Sequence, residues 1–149
     1  MQPIPYLFFD GTCEEALRAY ARIFGTPEPE ILRAGEAPEG QGGPVGPEAV
    51  MHGAVRIGEG VLYGSDFPGA GGMTGSCVCV ALPHADESRR IFEALSHGGT
   101  VEMALEKTFF SPAFGIVTDR WGTRWMVDTA LAGNAPAARE AEGAAAGPR

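Results

Sequence analysis

Short apolar runs and one longer amphipathic run alternate along the start of the chain. Tyr6-Leu7-Phe8-Phe9 is apolar and ends at the turn pair Asp10-Gly11, which is typical of a strand. The next residues have the form of a capping box, with Thr12 as N-cap and Glu15 three positions later. Apolar residues then recur at helical spacing as far as Gly25, and they are Ala16, Leu17, Tyr20, Ile23 and Phe24. The pattern predicts a strand followed by an amphipathic helix.

Three more strands are predicted in the first half. One covers Glu30 to Arg33, and a stretch rich in Gly and Pro follows from Ala34 to Ala49. We interpret that stretch as a mobile loop, with a lid as one possible role. The segment VMHGAVRIGEGVLYGSD, from Val50 to Asp66, shows two alternating strands joined at Ile57-Gly58-Glu59-Gly60. The predicted order is β-α-β-β-β.

The second half repeats this order. We predict a strand from Cys77 to Leu82, a helix with Asp86 as N-cap that ends at Gly98-Gly99, and a strand from Thr100 to Leu105. A final hairpin pairs Phe114–Thr118 with Thr123–Asp128. A shift of 74 residues places Thr12 on Asp86, so we predict two tandem β-α-β-β-β modules. The predicted boundaries are 4–68 and 76–131 for the modules, 69–75 for a glycine-rich hinge, and 132–149 for a disordered tail.

Composition and charge exclude several classes of function. The 149 residues include 19 acidic and 11 basic side chains, which gives a formal charge of -8 and disfavours nucleic-acid binding. The longest apolar run, around Val78 to Leu82, is too short to cross a membrane, and we see no secretory signal at the start. Three cysteines, an odd number, fit a reducing cytoplasm better than a disulfide scaffold.

Several segments together carry a resemblance to a known family. They are YLFFDGTCEEALRAYARIFG, MHGAVRIGEGVLYGSD and FEALSHGGTVEMALEKTFFSPAFGIVTDRWGTRWMV. The chain resembles the PhnB-like branch of the vicinal oxygen chelate superfamily, from about Ile4 to Asp128. That superfamily includes glyoxalase I, bleomycin-resistance proteins, fosfomycin-resistance enzymes and extradiol dioxygenases. Some members of the branch carry the label 3-demethylubiquinone-9 3-methyltransferase, but the sequence shows no glycine-rich nucleotide loop between a strand and a helix.

The resemblance implies an α+β fold in which the strands of tandem modules form a U-shaped mixed sheet around a cavity, with the helices outside. It also implies a homodimer, often with a cavity shared between modules of two chains. Metal-dependent members place His, Gln or Glu ligands on the first and last strands of each module. Here those positions fall near Pro3 to Pro5, Leu62 or Tyr63, Cys77 and Met126, and none is His or Glu. We therefore expect neither the usual metal site nor a resident cofactor.

His52 is the central candidate for chemistry or binding. In an alternating strand, Met51, Val55 and Ile57 form the apolar face that we expect to pack on the helix, so His52 points toward the cavity or solvent. There it is either a general base or a hydrogen-bonded cavity wall without turnover. A lone histidine without an orienting partner favours the second interpretation. We expect His84 and His97 to serve loop and helix-end roles.

The cysteines offer a weaker signal. Cys77 and Cys79 share one strand face, and with His52 they form a hypothetical site for a soft metal such as zinc. Cysteines in such positions more often serve as small residues of the core. Cys13 lies in the first turn of a helix, where the dipole acidifies a thiol, although Glu14 and Glu15 oppose this effect. We expect no catalysis from it.

The remaining candidates line the expected cavity. Tyr63 and Ser65 lie on one strand face and can hydrogen-bond a ligand, whereas Asp66-Phe67-Pro68-Gly69 is typical of a plain turn. The connection at Phe109-Phe110 is placed to cover a cavity mouth and hold a flat apolar ligand. The full set of predicted ligand-binding residues is His52, Tyr63, Ser65, Cys77, Cys79, Phe109 and Phe114.

Two functions follow from these observations. The first is a small-molecule binding protein that needs no metal and has no catalytic residue, in the manner of the bleomycin-sequestering relatives that the resemblance implies. The acidic balance suits a cationic ligand. The second is a lyase, isomerase or oxygenase that uses an unorthodox metal site or His52 as base.

Overall fold

The computed structural model describes residues 1–131, and the predicted tail at 132–149 lies outside them. Two β-α-β-β-β modules follow each other, which confirms the predicted α+β class and element order. The first comprises β1 (Tyr6–Phe9), α1 (Cys13–Phe24), β2 (Glu30–Arg33), β3 (Val50–Ile57) and β4 (Gly60–Asp66). The second comprises β5 (Val78–Leu82), α2 (Ala85–Ser96), β6 (Thr100–Glu106), β7 (Phe114–Thr118) and β8 (Arg124–Thr129).

The strands form two mixed four-stranded sheets of the same topology. Sheet 1 has the order β1-β4-β3-β2 and sheet 2 the order β5-β8-β7-β6. In each sheet the first strand pairs in parallel with the last, and the other neighbours are antiparallel. Each helix covers one face of its own sheet, so each sheet has a second, open face that points away from the helices. Among residues 1–131 no helix is long and apolar enough to cross a membrane.

A common core joins the two modules. Tyr20 on α1 is fully buried and donates its hydroxyl hydrogen to Asp119, in the turn between β7 and β8, at 2.6 Å. The indole of Trp125 donates to the same carboxylate oxygen at 2.8 Å, and its ring lies edge-on to Tyr20 with centroids 5.1 Å apart. Burial raises the pKa of Asp119, but four donors surround its carboxylate. These contacts fix the first helix onto the second module.

The starts of the two helices agree with the predictions only in part. Thr12 is the N-cap residue of α1, but its side chain makes no capping hydrogen bond, so the predicted capping box is wrong. The carboxylate of Asp66 at the end of β4 accepts from the Cys13 N–H at 2.9 Å instead. The N-cap position of α2 is His84, whose side chain makes no capping hydrogen bond, and the predicted N-cap Asp86 lies in the first turn. Cys13 therefore corresponds to Ala85, a shift of 72 residues rather than 74.

A β-bulge changes the side chains that β3 presents. Arg33 pairs with Val50 and Leu32 pairs with His52, so Met51 has no partner on β2. Val50 takes the buried position and Met51 is 39% exposed, contrary to the expectation that Met51 packs on the helix. Bulges of this kind redirect a side chain because two residues oppose one.

The segment between β2 and β3 is tied down at its base. The N–H groups of Ala34 and Gly35 donate to the carbonyls of Ala49 and Pro47, both at 2.9 Å. Arg33 donates to the Glu48 carbonyl at 3.0 Å and forms an ion pair with Glu14 on α1. Both ends of the loop are therefore held in place. Its tip, around residues 41–45, lies beside the end of sheet 1.

Candidate functional site

An aromatic cluster occupies the open face of sheet 1. The Tyr6 hydroxyl lies 3.2 Å from Nδ1 of His52, within hydrogen-bonding distance. The imidazole lies edge-on to Tyr63 with ring centroids 4.8 Å apart, and Tyr6 lies edge-on to Tyr63 at 6.2 Å. The row continues through Phe8, 5.4 Å from Tyr6, to Phe67, 5.2 Å from Phe8. We name these five residues the aromatic row.

Strand register explains why these side chains meet. Tyr6 and Phe8 on β1 pair with Tyr63 and Ser65 on β4, and all four belong to the face away from α1. Their neighbours Leu7 and Phe9, at 5% and 2% exposure, fill the core, because alternate residues of a strand face opposite sides. The row is accessible, with Tyr6 and Phe8 at 41% and 53% exposure.

Carboxylates surround one end of the aromatic row. A depression of about 300 Å³ is lined by Tyr63 and by Glu28, Glu30 and Glu59. Arg18 forms an ion pair with Glu28, and Arg56 lines the same depression, so the three carboxylates outnumber the two guanidinium groups by one negative charge. An aromatic face next to carboxylates attracts an organic cation through both cation–π and charge interactions.

The predicted ligand-binding residues form two groups. His52, Tyr63 and Ser65 lie on sheet 1, as described above. Cys77 and Cys79 lie at the start of sheet 2, where Cys79 pairs with Met126 on β8. Phe114 on β7 contacts Phe110 with ring centroids 5.0 Å apart, and Phe110 contacts Phe109, which is 98% exposed, at 5.1 Å. The second group thus belongs to sheet 2 and to the connection before β7.

The residues present do not fit the metal site that the fold family implies. Among residues 1–131, no three His, Cys, Asp or Glu side chains lie close enough together to hold a metal ion. Within one chain, His52 therefore does not join Cys77 and Cys79 in a three-ligand site. The expected ligand positions hold Tyr63 on β4, Cys77 just before β5 and Met126 on β8. Thiol and thioether sulfurs do not replace the oxygen and imidazole donors of an octahedral site.

The three thiols differ in accessibility. Cys13 is fully buried, and its pKa is raised to about 12 by burial and by the nearby Asp66 and Glu14 carboxylates. The prediction that the helix dipole acidifies this thiol is therefore wrong in direction. Burial, with Asp128 and Cys77 nearby, also raises the pKa of Cys79, although Cys79 is exposed at the surface of sheet 2. His84 and His97 are exposed at the two ends of α2, as expected.

Sequence reasoning missed three members of the aromatic row. Tyr6, Phe8 and Phe67 were assigned to a strand and a turn, but not to the site. Alternation separates Tyr6 and Phe8 from Leu7 and Phe9, yet both pairs are apolar, so the pattern does not tell which pair faces the core. The sequence pattern places Asp66 in a plain turn with no role at the start of another element. It instead accepts from the N–H groups of Cys13 and Val50 at 2.9 and 2.8 Å.

Comparisons with known proteins identify the family. Residues 2–128 match the family model described as 3-demethylubiquinone-9 3-methyltransferase. The chain belongs to this family. It is 31% identical over 135 residues to the protein YjdN of Escherichia coli strain K12, and the match covers 83% of this chain and 92% of YjdN. The resemblance to the PhnB-like branch is thereby confirmed.

Solved structures agree with this assignment. The structure of protein PA1353 from Pseudomonas aeruginosa matches with a TM-score of 0.77 and 35% identity over 87% of this chain and 97% of that chain. The PhnB protein from Bacillus cereus shares the fold, with a TM-score of 0.70 and 24% identity over 87% of this chain and all of that chain. Two structures described as glyoxalase/bleomycin resistance proteins share the fold as well, with TM-scores of 0.56 and 0.55 at 14% and 11% identity.

Proposed function

We propose that this protein binds a small, flat organic cation on the open face of sheet 1, without a metal ion. The aromatic row beside the carboxylates of Glu30 and Glu59 carries the proposal. Aromatic faces bury the flat part of a ligand, and the Tyr6, His52 and Tyr63 polar atoms orient it. The presence of three free cysteines is consistent with action in the reducing cytoplasm.

A second copy of the chain completes the cavity in this proposal. Both open sheet faces expose large apolar side chains, including Phe8 on sheet 1 and Met103 on sheet 2, at 53% and 49% exposure. Exposed apolar faces of this kind mark interaction surfaces. A homodimer that places sheet 2 of one chain over sheet 1 of the other brings Cys77, Cys79, Phe109 and Phe114 to the site that already holds His52, Tyr63 and Ser65.

One observation favours an enzyme as the second candidate. The Tyr6 hydroxyl, 3.2 Å from His52, is an orienting partner that the sequence did not reveal, and general bases usually have such a partner. A lyase, isomerase or oxygenase with His52 as base follows from this pair. Methyl transfer has less support, because the glycine-rich segment 69–75 leads into strand β5 and not into a helix.

Titration with N-methylquinolinium, and with quinoline as its uncharged counterpart at neutral pH, tests the binding proposal. We expect the cation to bind roughly tenfold more tightly, the magnitude typical of a partly desolvated cation–π contact. The Tyr63→Ala variant weakens both ligands, whereas Glu30→Gln with Glu59→Gln removes only the preference for the cation. Ala94→Ser is the control, since Ala94 lies on the exposed side of α2, away from both open faces. Equal affinity for both ligands in the unmodified protein would contradict the proposal.

Metal analysis separates the two candidates. Elemental mass spectrometry of protein purified without an affinity tag, alongside the His52→Ala variant, measures the metal that each retains. We expect no transition metal in stoichiometric amount in either protein. A stoichiometric metal that is lost in His52→Ala would favour the enzyme and place His52 among its ligands.

A further inference from the structure

An apolar groove continues from the aromatic row toward the tip of the loop between β2 and β3. The groove has a volume of about 470 Å³ and is lined mainly by Pro44, Val45, Met51, Phe67 and Pro68. It shares Phe67 with the aromatic row, and Met51 directly precedes His52 in the chain. The groove and the aromatic row therefore form one continuous surface at this end of sheet 1.

The β-bulge in β3 supplies one wall of this groove. A regular strand would place Met51 on the α1 side, but the bulge gives that position to Val50, which is 1% exposed. Met51 thus lies opposite Phe67 instead of in the core. An irregularity that moves a large apolar residue out of the core has a cost in burial, and bulges next to binding sites commonly serve to direct a side chain.

The one carboxylate that lines the groove already has hydrogen-bond partners on its own chain. Asp66 lines the groove, but its two carboxylate oxygens accept from the backbone N–H groups of Cys13 and Val50. Pro44 and Val45 on the loop line the groove together with Met51 and Phe67, and Arg33 holds the base of that loop through the Glu48 carbonyl. A hydrocarbon chain suits such a lining, whereas a polar group would lose its hydration there.

We propose that this groove binds an apolar arm of the ligand, so that the ligand is an amphiphilic cation. Its charged, flat head lies on the aromatic row beside Glu30 and Glu59, and its hydrocarbon arm lies between the loop and Met51. This inference rests on the proposed function, since it extends the same site. It assigns the loop of residues 34–49 the role of covering the arm.

A series of N-methylquinolinium cations with methyl, propyl, pentyl or heptyl groups at ring position four tests the inference. Calorimetric titration below the concentration of micelle formation gives the affinity of each compound. We expect the affinity to rise about fourfold per added methylene until the groove is full, which corresponds to about 0.8 kcal/mol per buried CH2. The double variant Met51→Ser with Phe67→Ser removes this dependence on chain length. Ala94→Ser, which changes an exposed residue of α2 away from both open faces, keeps it.

The outcomes distinguish the arm from the head. If the methyl compound binds but affinity does not change with chain length, the groove holds no arm and the binding proposal stands. If chain length matters equally in the double variant, the arm lies elsewhere and the inference is overturned. If no member of the series binds, including the methyl compound, the proposed function itself is overturned. Circular dichroism and thermal unfolding of each variant confirm that it is folded.

Discussion

Cys13 illustrates how the surroundings of a side chain outweigh its position in a helix. The first turn of α1 offers a dipole that lowers the pKa of a thiol, but Cys13 lies in the core with 0% exposure. It also lies near the Asp66 and Glu14 carboxylates, and all three influences raise its pKa. Burial removes the water that stabilises a thiolate, and this is the largest contribution.

We predict a loss of stability above pH 9.0 that arises from this thiol. In the unfolded chain Cys13 ionises near 9.0, whereas in the folded protein it keeps its proton up to about 12. The folded state binds more protons in this interval, so the free energy of unfolding falls as pH rises, by at most about 1.4 kcal/mol per pH unit. Urea unfolding over the first pH unit above 9.0 measures the slope in the unmodified protein and in Cys13→Ala.

The Cys13→Ala variant is the control for this effect. Its free energy of unfolding should fall less steeply with pH over the same interval, because the Cys13 contribution is missing. This expectation does not depend on the stability of the variant at neutral pH. Tyr20, whose pKa burial raises well above 10.0, contributes in the same direction only at higher pH. Equal slopes in the two proteins would show that the folded environment leaves the Cys13 thiol unperturbed.

At the scale of elements, one carboxylate at the end of β4 organises the start of α1 and the start of β3. Asp66 accepts from the N–H of Cys13 and from the N–H of Val50, which connects three elements through a single side chain. We predict that Asp66→Ala lowers the free energy of unfolding by about 3 kcal/mol, because two backbone donors lose their acceptor at roughly 1–3 kcal/mol each. Chemical denaturation measures this change.

Thr12→Ala is the matched test of helix capping. Sequence alone assigns the cap of α1 to Thr12, but its side chain makes no capping hydrogen bond. We therefore expect this change to cost less than about 0.5 kcal/mol, as for most surface substitutions. A larger cost for Thr12→Ala than for Asp66→Ala would restore the capping box and contradict the structure.

The elements could be predicted from the sequence because their signals are local. The bounds of β1, β2, β3, β4 and β7 agree with the prediction, since each is an apolar or alternating run between turn residues. The bulge at Met51 and the cap at Asp66 depend on contacts between distant parts of the chain, which no local pattern contains. The site was predicted in part for the same reason. His52, Tyr63 and Ser65 share the open face as expected, but Tyr6 and Phe8 reach them only through the pairing of β1 with β4.

At the scale of the whole molecule, the helices and the buried contacts between modules leave both sheets open on one side. The Tyr20–Asp119–Trp125 contacts hold the two modules together through their helix-covered faces. The open faces therefore hold several exposed large apolar side chains, including Tyr6 and Phe8 on sheet 1 and Met103 on sheet 2. A surface of this composition is stabilised when another surface removes it from water.

We predict a dimer in solution whose interface includes the open face of sheet 2. Sedimentation or light scattering should give a mass about twice the 15.6 kDa of the chain. Met103→Asp places a charge on that face, where Met103 is 49% exposed, and should shift the equilibrium toward monomer. Ala94→Asp places the same charge on the exposed side of α2, away from both open faces, and should leave the mass unchanged.

Ligand binding provides the second measurement on the same variants. If the partner contributes Phe109 and Phe114 to the site, the monomeric Met103→Asp variant binds N-methylquinolinium more weakly at low protein concentration. This loss of affinity diminishes as the protein concentration rises, because mass action restores the dimer. Ala94→Asp binds as the unmodified protein does. If the unmodified protein is a monomer in solution, the predicted dimer is contradicted. If it is a dimer but the monomeric Met103→Asp variant binds with full affinity, sheet 1 of one chain holds the ligand by itself.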